Sequence, residues 1–201
     1  MGTRTRRVLI ALAAAAVAIA VGARIWWVNA TFPAIPLEYY EEGEWVALEG
    51  CFHNSDSEPT QDYSVRVEGV SVMTYDEYMG AYGDRPEEIG RHGDQRSIVC
   101  VDLRIRNDGD EQGGFFLIAA LLTPERGNEY LQLDIFSEAS LWPYNTGIST
   151  EPHTERLVHV PYVVNALDDE AYANPIDDRA FTLLVSQMPV RKMIRMTVED
   201  E

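Results

Sequence analysis

The sequence predicts a two-layer antiparallel β-sandwich that follows an apolar N-terminal helix. Beyond the apolar start, a series of short segments alternates apolar and polar residues with the period of two that a half-buried strand requires. Turn-forming residues separate most of these segments, and strands do not alternate regularly with helices. One segment has the start signal of a short helix, which we predict to be an insertion between strands.

The chain begins with a basic segment, continues with an apolar run over residues 8–23, and then has Arg24 and two tryptophans. As a helix this run spans about 24 Å, somewhat less than the roughly 30 Å of a bilayer core. Residues 25–28 complete the crossing if Arg24 reaches the interface, where tryptophan is favoured. Because basic charge precedes the run, we predict a cytoplasmic segment over residues 1–7 and a transmembrane anchor over residues 8–28.

A cleaved signal peptide is the alternative to an uncleaved anchor, since residues 21–23 offer small side chains before a possible cut. Cleavage after Ala23 would give a secreted protein instead of a single-pass membrane protein. Residues 29–44 contain prolines and no sustained period, which predicts a stalk. The extracellular domain is then predicted over residues 45–201, a length that can bury one core.

Charge restricts the partners that this domain can bind. The chain has 16 basic and 33 acidic residues, a net charge of -17. Four basic residues precede residue 25, where there is no acid, so the rest has 12 basic and 33 acidic side chains, a net of -21. Such a surface repels nucleic acid and anionic headgroups, so only the N-terminal helix is expected to contact a membrane. Solubility alone would also explain this charge.

The first half of the domain alternates clearly. Residues 45–52 have the pattern of a strand, as does the run from Tyr63 to Val72, which changes parity at Gly69 and so predicts a β-bulge there. Thr74 and Glu77 have the spacing of a capping box, which predicts a helix through about Tyr82. A loop is predicted to follow, over residues 83–95.

The second half contains the remaining strands. Residues 97–107 alternate most regularly, and residues 115–122 are apolar on both faces, which favours a buried strand. One shorter alternating run is centred on Leu133, and another covers residues 158–164. Pro161 within the second run indicates an edge strand or a bulge. A terminal hairpin is predicted from the two runs at 181–186 and 190–198.

The segment from Val101 to Asn107, with the polar turn and apolar strand after it, resembles an element of telokin-like, immunoglobulin-like domains in bacterial surface proteins, the DUF4352 and DUF5028 type. Residues 150–161 resemble the "L-x-P-G-E then strand" element of these domains, with His153 at the glycine position. The resemblance covers about residues 45–199. It implies an extracellular immunoglobulin-like sandwich, often on a lipoprotein or membrane anchor and mostly without enzymatic activity, and it supplies no catalytic residues.

Two pairs of residues are candidate sites. Cys51 and Cys100 both have the polar parity of their strands, so a disulfide between them would lie on the outside of a sheet, and two unpaired thiols are the alternative. Trp142 and Tyr144 lie in an irregular stretch, where aromatic side chains could bind a protein or a sugar ring, or simply cap the core.

Metal and catalytic motifs are lacking in the sequence. The four histidines have no zinc spacing such as H-E-x-x-H, and no serine lies in a G-x-S-x-G turn. Carboxylates gather at residues 168–170, 177–178 and 108–111, but their spacing matches no EF-hand, so solvated acidic loops are favoured. We therefore expect no enzyme, no cofactor and no metal, and predict an envelope-anchored binding module for a protein or glycan. A calcium-responsive structural domain and an envelope hydrolase are the alternatives.

Overall fold

The structure is a computed structural model that describes residues 2–83, 95–126, 130–134, 148–164, 171–173 and 175–198. The chain divides into two compact units, Met1–Ala34 and Ile35–Glu201.

The first unit is the apolar helix α1, Thr3–Thr31, which confirms the predicted N-terminal helix and extends the predicted span at both ends. Its alanine-rich sequence favours a helix, and Pro33 disfavours helical backbone at Phe32, where the helix stops. The helix is long and apolar enough to cross a membrane, and a signal sequence would have the same properties.

The second unit is built mainly from strands. In chain order it contains β1 (Leu37–Glu41), β2 (Val46–Ala47), β3 (Tyr63–Thr74), α2 (Tyr75–Tyr82), β4 (Arg96–Asn107), β5 (Leu122–Pro124), β6 (Leu131–Leu133), β7 (Thr154–Val164), β8 (Ala180–Ser186) and β9 (Arg191–Thr197). Single 3-10 turns lie at Leu117–Ala119 and Ala171–Ala173.

The described strands form one sheet in the order β1-β9-β8-β5-β6-β7-β4-β3-β2. This sheet curls into a nearly closed barrel, because its two end strands are consecutive in the chain and Gly43 between them donates a hydrogen bond to the Val67 carbonyl at 2.9 Å. The prediction of a mainly β-strand domain with a short helical insertion is confirmed. The predicted two-layer antiparallel sandwich is wrong, since there is one sheet and β1 runs parallel to β9, and the immunoglobulin-like topology is not confirmed.

Strand β1 also corrects the predicted stalk over residues 29–44. Residues 37–41 pair one by one with residues 191–195 of β9. Alternation did not indicate this strand, because four of its five residues are exposed and lack the pattern that marks a half-buried strand.

The core fills the inside of the barrel, and β3, β4 and β7 supply much of it through alternate residues. The bulge predicted at Gly69 is confirmed: Val67 pairs with Leu103 and Gly69 with Asp102, so Glu68 is the extra residue. Beyond the bulge, Val70 and Val72 lie opposite Val101 and Val99, which keeps the apolar side chains of β3 facing the core.

A second, smaller cluster lies outside the barrel. The predicted capping box starts α2: the Glu77 amide donates to Thr74 Oγ1 at 3.0 Å, and the Thr74 amide donates to Glu77 Oε2 at 2.8 Å. The helix packs against the outer face of β4 and β7. Its cluster contains Tyr75, Tyr78, Met79, Ile98, Cys100, Val163 and Tyr172. The face that alternation marks as polar is therefore buried at Cys100.

Other sequence predictions are confirmed in part. The hairpin at the end of the chain is β8 and β9. The strand predicted over residues 115–122 is wrong for most of its length, since Phe115 forms an isolated bridge with Ile148 and a 3-10 turn follows. The strand predicted over residues 45–52 is limited to β2 and a bridge at Phe52.

Pro161 lies in an interior strand of the sheet, so the predicted edge position is wrong. It pairs with Cys100 on one side, and its carbonyl accepts from the Asp134 amide at 2.9 Å on the other. In an antiparallel strand, the N–H and C=O groups of one residue point towards the same neighbouring strand. The carbonyl of Pro161 points to the end of β6, so its missing N–H also faces that side, and no hydrogen bond between β7 and β4 is lost.

Candidate functional site

The barrel is open along part of β3. Among the described residues, β2 pairs with β3 only at Ser64 and Val65, which leaves the β3 edge beyond the bulge without a neighbouring strand. On the other side β1 pairs with β9 as far as Arg195. Between the two edges lies a cleft of about 910 Å³. It is lined by Glu42, Glu68, Gly69, Val70, Ser71, Val72, Met73, Glu77, Ala81, Arg96, Arg179, Thr197 and Val198.

Both signs of charge line this cleft. Arg96 donates from Nη1 to the Val72 carbonyl at 2.6 Å, and its Nη2 lies 3.9 Å from Glu77 Oε1. Arg104 forms a two-pronged hydrogen bond with Glu68, with Nε–Oε1 and Nη2–Oε2 distances of 2.6 and 2.8 Å. Together with Arg66, this contact lowers the pKa of Glu68 to about 2, so Glu68 is a carboxylate at neutral pH.

A separate polar cluster lies on the outer face of β4 and β7. Cys100 and Asp102 are two residues apart on β4 and so share one face. His159 of β7 is the direct cross-strand partner of Asp102. The Nδ1 atom of His159 lies 2.7 Å from Oδ1 of Asp102, and Cys100 Sγ lies 3.9 Å from the same oxygen. Each pair of donor atoms in this set is within 4.8 Å.

Helix α2 covers one side of this cluster. The Tyr82 ring stacks on the imidazole of His159 at a centroid distance of 4.0 Å and an angle of 13°. Tyr78 donates its hydroxyl to the His159 carbonyl at 2.8 Å. Burial, with a smaller contribution from Asp102, raises the pKa of the Cys100 thiol well above its usual value. In the protein as it stands, Cys100 is a protonated thiol, which argues against a role as a catalytic nucleophile.

Of the two alternatives for the cysteines, a disulfide or two unpaired thiols, the structure shows unpaired thiols. Cys51 and Cys100 are both buried free thiols. Cys51 lies in the turn after β2, where its amide donates to the Leu48 carbonyl at 2.8 Å, whereas Cys100 belongs to the cluster under α2. The other predicted pair, Trp142 and Tyr144, lies outside the described residues.

The acidic loops show ordinary ion pairs where they are described. Asp108 Oδ2 lies 2.8 Å from Arg106 Nε, and Asp110 Oδ1 lies 3.0 Å from His153 Nε2. Residues 168–170 lie outside the described residues. In the part of the chain that the structure describes, the set of His, Cys and acidic groups placed to hold a metal ion is Cys100, Asp102 and His159.

The cluster was not predicted from the sequence, because its three ligands have no fixed spacing along the chain. The available signal was weaker: a Cys-x-Asp pair on one strand face, and a His on another alternating strand. The pairing register of β4 with β7 is what brings the three together.

Residues 37–192 match a family described as a domain of unknown function, DUF5028. The chain belongs to this family. The family resemblance predicted from the sequence is confirmed to this extent, and its telokin-like, immunoglobulin-like and DUF4352 aspects are not confirmed. A comparison with curated proteins found no match.

Two solved structures from bacilli are similar to this chain. The yjhA protein from Bacillus subtilis is 10% identical, with a TM-score of 0.41 over 78% of this chain and 98% of its own. A conserved hypothetical protein from Bacillus anthracis is 16% identical, with a TM-score of 0.34 over 75% of this chain and 95% of its own.

Proposed function

We propose that this DUF5028 protein is a non-enzymatic binding domain of the cell envelope, anchored by α1, and that it binds an extended segment of a partner protein. The observation that carries this proposal is the open stretch of the barrel, where the β3 edge beyond Gly69 borders a cleft of about 910 Å³. Binding pockets in proteins have volumes of about 300–1,000 Å³.

A strand edge favours a peptide ligand over a small molecule. Backbone N–H and C=O groups along an open edge can pair with an added strand, while side chains on both walls select its sequence. The cleft is bordered by residues 69–73 of β3 on one side. On the other side it is bordered by residues 197–198, which follow the part of β9 that pairs with β1. A peptide that enters it would continue the sheet from β3 and close the barrel.

Charge favours a basic segment. The chain beyond the leader has a net charge of -21, and Glu42, Glu68 and Glu77 lie along the cleft. Arg96 contacts Glu77 and Arg104 contacts Glu68, so charge of both signs at the cleft is already engaged and the attraction comes from the net charge of the domain. Long-range attraction would therefore speed the association of a positively charged partner, an effect that added salt reduces.

The cleft can be tested by filling it. Ala81 lines the cleft from α2, while the neighbouring Gly80 does not and has open space around it. Peptides selected from a random library on the full chain in detergent micelles should be extended and basic. Ala81→Trp should weaken their binding at least about tenfold, and the matched Gly80→Trp should leave it unchanged. Selected peptides that bind Ala81→Trp as tightly as the wild type would contradict the proposal.

The envelope location needs its own experiment. Positive charge from Arg4, Arg6 and Arg7, at the start of α1 and before its apolar run, supports a cytoplasmic N-terminus, with the β-domain on the outside and an uncleaved anchor. A reporter fused after Glu201 that is active only outside the cytoplasm should be active and should sediment with membranes. An inactive reporter would overturn the orientation, and active reporter in the medium would indicate cleavage of the leader.

A further inference from the structure

We propose that Cys100, Asp102 and His159 form a binding site for a divalent transition metal ion of the zinc type on the outer face of the barrel. The three side chains provide one sulfur, one oxygen and one nitrogen donor, all within 4.8 Å of one another. None of these three residues lines the peptide cleft, and the site does not depend on the proposed peptide binding.

The distances fit such an ion with small movements. In a tetrahedral zinc site, bond lengths of about 2.1 Å to nitrogen and oxygen and about 2.3 Å to sulfur separate N from O by about 3.4 Å and S from O by about 3.6 Å. The His159–Asp102 and Cys100–Asp102 distances are 2.7 and 3.9 Å. The His159 and Asp102 donors would therefore separate by about 0.7 Å, the Cys100 and Asp102 donors would approach by about 0.3 Å, and the Cys100 and His159 donors, now within 4.8 Å, would come to about 3.6 Å.

The fold holds these ligands in place. Asp102 and His159 are paired directly across β4 and β7, and Cys100 is two residues along the same face. Tyr82 stacks on the imidazole, and Tyr78 bonds to the His159 carbonyl, so the histidine is held from two directions. Such supporting contacts orient the ligands of protein metal sites.

The donor set determines which ions can bind. Calcium and magnesium prefer oxygen ligands alone, whereas a thiolate with an imidazole and a carboxylate suits zinc. On binding, the Cys100 thiol releases its proton to solvent and coordinates as a thiolate. The side chains of Asp102 and His159 are 36% and 31% exposed, so an ion has a path from solvent and a fourth position for water.

The experiment uses cobalt as a coloured substitute for zinc, added to the metal-free full chain in detergent micelles. We expect one equivalent to produce a sulfur-to-cobalt charge-transfer band, and zinc to abolish it. Cys100→Ala should remove the band, while Cys51→Ala, which changes the other buried thiol, should keep it. His159→Ala should weaken binding at least about 100-fold, and His153→Ala, at an exposed histidine, should have no effect.

A second measurement needs no variant and so covers the case in which Cys100→Ala does not fold. X-ray absorption at the zinc edge of the loaded wild-type chain should show one sulfur neighbour at about 2.3 Å together with nitrogen or oxygen neighbours. A spectrum with no sulfur neighbour, or zinc that is lost on gel filtration, would overturn the proposal.

Discussion

The two faces of β4 and β7 differ in what they bury. Towards the inside of the barrel both strands present aliphatic side chains such as Val101, Leu103 and Val160, all fully buried. Towards the outside, under α2, the same strands present Cys100 among tyrosines, with the Asp102–His159 pair at the rim. The inner face therefore supplies the packed core that holds the fold together. On the outer face α2 covers the polar groups only in part, so they are ordered but still accessible to solvent.

The strongest test of this comparison removes volume from the inner face. Leu103 is fully buried in the barrel core. Leu103→Ala should lower the free energy of unfolding by about 3 kcal/mol, because it loses apolar burial and leaves a cavity in a packed core. Chemical denaturation of the full chain in detergent micelles, followed by tryptophan fluorescence, measures this change. A loss below about 1 kcal/mol would mean that the barrel interior is not the main source of stability.

His53 is a buried polar side chain close to the barrel core, where its ring contacts Phe115 edge-on at 5.8 Å. Burial lowers its pKa from 6.5 to about 4, although nearby Glu58 opposes the shift. The unfolded chain therefore binds a proton more readily, so stability from this residue is complete above pH 6.5 and is lost as the pH falls towards 4.

The loss between these pH values should reach about 3 kcal/mol in the free energy of unfolding. Denaturation curves recorded from pH 7 to pH 4 should show this slope in the wild type and a flatter profile in His53→Phe. His153→Ala, which changes an exposed histidine, is the matched control and should keep the wild-type slope. An unchanged slope in His53→Phe would assign the pH dependence to other groups.

Changes on the outer face should have smaller effects. Thr74→Ala removes the side-chain acceptor of the capping box and should destabilise α2 by about 1 kcal/mol.

Tyr78→Phe removes the hydrogen bond to the His159 carbonyl and should lower the free energy of unfolding by about 1 kcal/mol or less. If either change matched Leu103→Ala in a denaturation experiment, the distinction between the two faces would fail.

Local patterns predicted much of this fold from the sequence. The bulge at Gly69, the capping box at Thr74 and Glu77, and the terminal hairpin each depend on neighbouring residues, so the sequence contains enough information to predict them. The parallel partner of β1 and the single curled sheet depend on contacts between distant segments, which alternation does not specify.

The candidate sites were harder to predict for the same reason. Cys100 has polar parity, and only the position of α2 shows that this part of the outer face is buried. The meeting of Asp102 with His159 follows from a strand register across 57 residues of chain, and the open cleft follows from how far β1 and β2 extend. No motif of fixed spacing encodes such long-range geometry.

The parallel pairing of β1 with β9 has a consequence for synthesis. The first strand made after the apolar helix finds its partner in β9, so residues 191–195 must leave the ribosome before residues 37–41 can pair. Until then, the first sheet edge to emerge remains exposed to other chains. Messages truncated before residue 191 would leave it without a partner permanently, which makes such fragments natural targets for quality-control proteases.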